Sequence, residues 1–325
     1  MRPDTNVIIT REQVSKGALS CRGCGWSLLA RYVSNVMGPE TVYVVPACCF
    51  SIIAGPNPMN LMNGTVVHTL FAAAAATATG VRHALDRQGR QDTNVVVLAG
   101  DGGTFDIGLQ AVSGAASREE NILFICNNNG AYMNTGVQSS AGTPSGVRTT
   151  TDPAGKTTPA KNVMEIIEAH HIPYFATASP AYLRDLQKKL EKARDIAGFR
   201  FLMIDGPCPP GHKHDPSISI ELARIAVETR FFPLFESANG GIEINYFPQK
   251  NLPVNEYLKR QGRFAHLYRD GSGGRESTSA SDSGSSASGE QDQETSGRNR
   301  EILNAIQMQV DKQWEKLLGK QVSKV

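Results

Sequence analysis

Val95-Val96-Val97-Leu98-Ala99-Gly100-Asp101-Gly102-Gly103 runs five apolar side chains straight into a glycine-flanked carboxylate. An apolar run without alternation is what a strand covered on both faces requires, as in a parallel sheet. A carboxylate that follows such a strand lies at the carboxyl edge of the sheet, where glycines let backbone N–H groups approach a diphosphate. Taken alone, Gly-Asp-Gly is equally a turn closed by an Asp side chain. A helix-length interval later, however, comes Ile122-Leu123-Phe124-Ile125-Cys126-Asn127-Asn128-Asn129, a second buried-strand pattern that ends in amides. Mg2+ takes oxygen ligands, usually one or two from protein with phosphates and water completing the octahedron. Asp101 and the amide oxygen of Asn129 suit that role. A dinucleotide site is the rival, but no Gly-x-Gly-x-x-Gly opens a helix with an acidic residue about 20 positions on.

Working outward, short apolar runs at 41–46, 94–99, 121–126 and 201–204 alternate with Gly-, Ala- and polar-rich segments. That rhythm predicts an α/β protein with a central, mainly parallel sheet flanked by helices. Helices are expected within 63–85, where Phe71 precedes the run Ala72 to Ala76, over 105–116, and over 181–197. Residues 1–250 form one cofactor-binding domain in this reading, with 251–270 a C-terminal extension. From 271 to 298 the chain turns to Gly, Ser, Glu, Asp and Thr with almost nothing apolar, so burial cannot offset its ordering entropy and a flexible linker is expected. Ile302, Ile306, Val310, Trp314, Leu317 and Leu318 then recur at helical spacing, predicting an amphipathic helix over 299–325 that docks on its own domain or on a partner.

With 325 residues and 40% apolar content the chain can bury a substantial core. Its 33 basic and 31 acidic residues leave a formal charge of only +2, which gives no field to hold nucleic acid or an anionic membrane. Neither an apolar run long enough to span a bilayer nor a secretory signal is visible, so a cytoplasmic protein is expected.

Six cysteines in a chain of this length are too few for a disulfide scaffold. Cys21-Arg22-Gly23-Cys24 is a Cys-x-x-Cys pair in a glycine-rich turn, and Cys49 and Cys208 could complete four thiolates. Four thiolates suit either a structural zinc or an iron–sulfur cluster. Cys48 is a possible substitute for Cys49, and Cys126, inside an apolar strand, reads as an ordinary buried thiol.

Together, Gly100-Asp101-Gly102, Asn129, the Cys21–Cys24 pair followed by Gly25, Cys49, and Cys208-Pro209 resemble the thiamine-diphosphate-binding beta subunit of the 2-oxoacid:ferredoxin oxidoreductases. The likeness extends over about residues 21–208 and includes Tyr132-Met133-Asn134-Thr135-Gly136 and Thr143-Pro144-Ser145-Gly146. It implies the diphosphate-binding half of a thiamine fold, with thiamine diphosphate and Mg2+ held by Gly100, Asp101, Gly102, Gly103, Asn129, the carbonyl of Ala131, and Tyr132. The same resemblance assigns Cys21, Cys24, Cys49 and Cys208 to a 4Fe-4S cluster, Asn134 to the substrate face, and Ile52 and Cys49 to the neighbourhood of the thiazolium ring.

The implied reaction is oxidative decarboxylation of pyruvate or a similar 2-oxoacid, with coenzyme A collecting the acyl group and electrons leaving singly through the cluster to ferredoxin. Thiamine also needs a carboxylate on its pyrimidine ring, which in this family a separate alpha subunit supplies as a Glu. A hetero-oligomer is therefore expected, with a ferredoxin-like subunit or ferredoxin downstream. Ser145 and Arg148 stand where pyruvate enzymes commonly carry aromatic residues. A guanidinium at that point would favour a second substrate carboxylate, so an oxalate-oxidising subunit that releases carbon dioxide without coenzyme A is the alternative. A non-oxidative thiamine lyase, which needs no cluster, and a zinc-stabilised interaction module, which needs no thiamine, are the other readings.

Overall fold

The computed structural model describes residues 13–238, 240–268 and 288–321, with side chains in the last segment from residue 297 onward. Eight strands form one sheet: β1 (Thr41–Pro46), β2 (Thr65–Thr69), β3 (Asn94–Gly100), β4 (Leu123–Asn128), β5 (Tyr174–Ala178), β6 (Arg200–Asp205), β7 (Phe235–Ala238) and β8 (Gly241–Ile244), in the spatial order β2-β1-β3-β4-β6-β5-β7-β8. The first six pair in parallel, while β7 and β8 add an antiparallel edge. The sheet is thus mainly parallel, and β3 lies inside it between β1 and β4. Val96, Val97, Leu98 and Ala99 are buried to 1% exposure or less.

Ten helices accompany it among the described residues: α1 (Gly25–Met37), α2 (Cys49–Ala54), α3 (Ala74–Arg87), α4 (Leu109–Ser117), α5 (Val163–Glu168), α6 (Leu183–Asp195), α7 (Pro209–His212), α8 (Ser219–Glu228), α9 (Asn255–Leu258) and α10 (Ser288–Lys320). Alternation of side-chain direction along the strands splits the core into two layers. Val95, Val97, Phe124 and Phe201 pack towards α3 and α4, whereas Val96, Leu98, Ile125 and Leu202 pack towards α1, α2 and α6. Ala74, Ala75 and Ala78 meet Ala115 and Ala116, so small side chains let α3 and α4 approach closely.

There are three departures from expectation. Part of the segment expected to be helical, Thr65–Thr69, is instead the edge strand β2; Thr-Val-Val-His-Thr is rich in β-branched residues, but its half-exposed setting leaves no apolar run to read. The helix expected from residue 105 is split, because Gly102–Asp106 forms a π-helical turn before α4 begins at Leu109. Finally, α10 begins at Ser288, inside the stretch expected as linker. Residues 271–287 of the expected linker lie outside the described residues.

On α10, Ile306, Val310 and Leu317 are 3%, 5% and 8% exposed. Ile306 and Val310 pack with Phe264, Leu267 and Phe232, so this helix docks on its own chain. No helix among the described residues is long and apolar enough to cross a membrane.

Candidate active site

Adjacent strands deliver the chemistry to one sheet edge, as open parallel sheets do at their carboxyl ends. Gly100 of β3 stands in register with Asn127 of β4, and Asn128 with Asp205 of β6. The residues that follow are therefore neighbours: Asp101 after β3, Asn129 after β4, and the loop to Cys208 after β6. On the other side β1, paired with β3, ends just before Cys48 and Cys49.

Asp101 is 1% exposed. Burial pushes its carboxyl up to about 7, against the opposing pull of hydrogen bonds from the Ser140 hydroxyl, its own backbone N–H and that of Asn129. A buried carboxylate with no basic partner is a site that a bound cation relieves. The Asn129 Oδ1 accepts the Ala131 N–H at 3.1 Å and keeps a second lone pair. A carboxylate, an amide oxygen and the nearby Ala131 carbonyl form an all-oxygen set that fits Mg2+.

The glycines meet a tighter requirement than phosphate access alone. A Cβ on Gly102 would lie 2.2 Å from the Tyr132 ring, and one on Gly103 would lie 3.1 Å from Phe71. The Tyr132 hydroxyl donates to Asp106 at 2.5 Å, and Asp106 also accepts the Ala141 N–H at 3.0 Å. Asp106, Ser140 and Phe71 thereby fix the loop that presents the ligands. Ser140 carries no sequence signal, whereas Asp106 could have been suspected from its place in the π-turn motif after Gly-Asp-Gly.

These residues open onto a cleft of about 200 Å3 whose walls include Cys49, Phe71, Asp101, Asn129, Tyr132 and Asn134. Gly100, Gly102, Gly103 and Ala131 line it too. Ile52 is 56% exposed and Arg148 is exposed; neither lines the cleft. A larger cavity of about 400 Å3 lies between α10 and α5, with no cysteine and no residue of Gly100–Gly103 in its lining.

The four cysteines singled out in the sequence come together. Burial pushes Cys49 up to about 12, followed by repulsion from Cys208, Cys48, Cys24 and Cys21. Burial likewise pushes Cys208 up to about 12, with Cys24 and Cys21 adding to it. Gly25 lies against Pro207, where an added Cβ would be 3.2 Å from the proline ring, so the Cys21–Cys24 turn abuts the Cys208 loop. Cys24 and Cys208 occupy the N-cap positions of α1 and α7, and Cys49 is the first residue of α2. Helix N-termini favour negative charge on the sulfurs.

Cys48 lines the cleft beside Cys49. Its thiol donates to the Leu98 carbonyl at 3.9 Å and caps α2 reciprocally with Ser51. Cys126 is wholly buried in β4. Among the described residues no group of three or more His, Cys, Asp or Glu side chains is placed to hold a single metal ion.

Residues 48–204 match the family described as thiamine pyrophosphate enzyme, C-terminal TPP binding domain. The pyruvate synthase subunit PorB of Methanothermobacter marburgensis is 45% identical over 261 residues, covering 79% of this chain and 91% of that protein. This chain belongs to the 2-oxoacid:ferredoxin oxidoreductase family, as a thiamine-diphosphate-binding beta subunit. The ketoisovalerate oxidoreductase subunit VorB of Pyrococcus horikoshii is equally close, 45% identical over 271 residues, covering 80% of this oxidoreductase subunit and 87% of its relative. A solved 2-oxoglutarate:ferredoxin oxidoreductase from Magnetococcus marinus shares the fold of the subunit, with a TM-score of 0.55 and 23% identity over 68% of this chain and 81% of that one.

Proposed function

We propose that this beta subunit takes part in the oxidative decarboxylation of a small aliphatic 2-oxoacid, pyruvate foremost, and that it carries both the diphosphate site of thiamine and an adjoining 4Fe-4S cluster. The observation that supports this best is that Cys49 and Asp101 line the same cleft. An electron relay and a magnesium diphosphate site would then share one wall.

Thiamine diphosphate supplies an electron sink for carbon–carbon cleavage, and the cluster supplies one-electron steps. Asp101, Asn129 and the Ala131 carbonyl hold Mg2+, while the backbone of the Gly100–Gly103 turn faces the diphosphate. Cys21, Cys24, Cys49 and Cys208 hold the cluster. Asn134 in the cleft wall orients the oxoacid through its side-chain amide. Phe71, Trp26 and Met133 exclude water from that wall.

Asp101 is the only carboxylate among the described residues lining the cleft. The Glu that activates the pyrimidine ring therefore belongs to an alpha subunit. Leu19, Ile52, Met59 and Leu70 are 65%, 56%, 83% and 78% exposed, in or next to segments that frame the cleft. An exposed apolar set of this size fits a subunit interface, and Ile52 would add an apolar contact beside the thiazolium ring once that interface forms. Coenzyme A, a ferredoxin-like acceptor and a reducing, cytoplasmic setting complete the reading.

Substrate oxidation by the assembled complex is the test. Produced anaerobically with its partner chains, it should reduce ferredoxin or a viologen dye with pyruvate in preference to 2-oxoisovalerate, 2-oxoglutarate and oxalate. Release of carbon dioxide without reduction of the acceptor would assign it to the non-oxidative enzymes instead.

A further inference from the structure

The connection between β4 and α5 carries a turn, Ser140-Ala141-Gly142-Thr143. Ser140 is 4% exposed and Thr143 is wholly buried. The turn closes on itself. The Thr143 N–H donates to the Ser140 carbonyl at 3.1 Å, the Ser140 N–H to the Thr143 hydroxyl oxygen at 2.9 Å, and the Gly142 N–H to the Ser140 hydroxyl oxygen at 3.1 Å. Both hydroxyls thus accept from inside the turn, and each keeps one hydrogen to donate.

Those two hydrogens go to different loops. The Ser140 hydroxyl donates to Asp101 Oδ2, and the Thr143 hydroxyl donates to the Gly130 carbonyl at 2.7 Å. Asp101 follows β3, and Gly130 stands between Asn129 and Ala131 after β4. One short turn therefore ties together the two segments that bear the proposed magnesium ligands.

The turn is itself braced from outside. Asp106 accepts the Ala141 N–H at 3.0 Å, the Ala141 carbonyl accepts the Lys161 backbone N–H at 2.8 Å, and the Lys156 ammonium donates to the Thr143 carbonyl at 2.6 Å. It also has no slack against the strand ends, because a Cβ on Gly142 would stand 2.9 Å from Asn128 Oδ1 and 3.1 Å from the Asp101 Cβ.

We propose that Ser140 and Thr143 are positioning residues that set the metal preference of the cofactor site: Ser140 occupies Asp101 Oδ2, Thr143 fixes the Asn129–Ala131 segment, and the ligand set so held favours Mg2+ over Ca2+. This rests on the magnesium diphosphate reading above. Mg2+ demands near-ideal octahedral geometry at about 2.0–2.1 Å, whereas Ca2+ takes about six to eight oxygens at about 2.3–2.6 Å and readily uses both oxygens of one carboxylate. A hydrogen bond on Oδ2 competes with that two-oxygen mode, and two loops clasped by one braced turn resist spreading for the larger ion.

The test strips the anaerobically purified complex of divalent ions with a chelator and titrates thiamine diphosphate by calorimetry with Mg2+ alone or Ca2+ alone. Parent, Ser140→Ala, Thr143→Val and Thr143→Ser are compared. In the parent, Mg2+ should support the tighter cofactor binding. Ser140→Ala should lower that preference about tenfold, since it removes a hydrogen bond to a charged oxygen. Thr143→Val keeps the side-chain shape without the donor and should shift the preference in the same direction, while Thr143→Ser should stay close to the parent. If Ser140→Ala fails to assemble, the Thr143 pair decides alone. An unchanged preference in either assembled deletion variant, or an equal loss of affinity with the two ions, would overturn the inference. A parent that binds thiamine diphosphate equally well with no divalent ion would instead refute the magnesium-site reading itself.

Discussion

The imidazole of His212 donates its Nε2–H to the backbone carbonyl of Asn129 at 2.9 Å, joining the loop of Cys208, a proposed cluster ligand, to the loop of Asn129, a proposed magnesium ligand. Burial, chiefly, and then the nearby Arg263 charge hold this histidine well below its ordinary range, so it is neutral and donates through one nitrogen only. The other nitrogen, Nδ1, has no partner.

Replacing His212 by Phe would leave the buried Asn129 carbonyl without its donor, a cost of about 1–3 kcal/mol. Thiamine diphosphate should bind the variant complex about tenfold more weakly, with its iron content retained. Calorimetric titration checks this, and equal affinity would show that the bond does not hold Asn129 in place.

Cys48 and Cys49 are adjacent in sequence but face different surroundings. Cys49→Ser should lose the cluster, whereas Cys48→Ser, whose side chain caps α2 and faces Leu98, should retain it. Iron and sulfide analysis separates the two, and the reverse pattern would exchange their roles.

The Gly102 Cα lies so close to Tyr132 that even a methyl group would displace the ring. Gly102→Ala should therefore break the Tyr132–Asp106 hydrogen bond and disorder the cleft wall. We expect a loss of more than about 2 kcal/mol in cofactor binding, read from the thiamine diphosphate retained on gel filtration. Retention equal to the parent would mean that the ring moves without consequence.

Glu236 accepts hydrogen bonds from Lys192 at 2.7 Å and from Tyr174 at 2.7 Å. Burial acts to raise its carboxyl, but these partners prevail and hold it below the usual range. A carboxyl depressed in the folded state contributes stability that is present above its unfolded value, about 4.3, and is lost as pH falls through the folded value. Glu236→Gln should cost about 1–3 kcal/mol at pH 7 and flatten the acid limb of the stability curve. Denaturant unfolding between neutral and acid pH measures it; parallel curves for parent and variant would remove this group from the acid response.

Much of the site was legible because it depends on residue types that few other structures demand. The Gly100–Gly103 turn, Asn129 and the four cysteines each announce a chemistry, and parallel pairing of β1, β3, β4 and β6 places four of the segments that bear them on one edge. Strands β2 and β5 and the antiparallel pair β7–β8 were not legible: β2 and β8 are edge strands without continuous apolar runs, and the short runs of β5 and β7 are interrupted by small or polar residues and owe their pairing to tertiary contacts. His212 and Ser140 were hidden for another reason: each acts through a partner distant in sequence, and nothing local marks it. Arg148, which the resemblance places where pyruvate enzymes carry an aromatic residue, is exposed and does not line the cleft.

The terminal helix α10 buries Ile306, Val310 and Leu317. At about 1.5–3 kcal/mol for each fully buried side chain, its removal should destabilise the subunit by several kcal/mol. A chain ending at residue 268 should show a clearly lowered melting temperature. An unchanged one would indicate that the helix serves a partner instead.

The most direct measurement of the central claim is electron paramagnetic resonance of the anaerobic complex before and after pyruvate and coenzyme A are added, in the parent and in Asp101→Ala. The account predicts a reduced 4Fe-4S signal that appears with substrate in the parent and fails to appear in the variant, although dithionite still reduces the variant's cluster. A substrate-dependent signal that persists without Asp101, or a parent that turns over with no iron–sulfur signal at all, would contradict it.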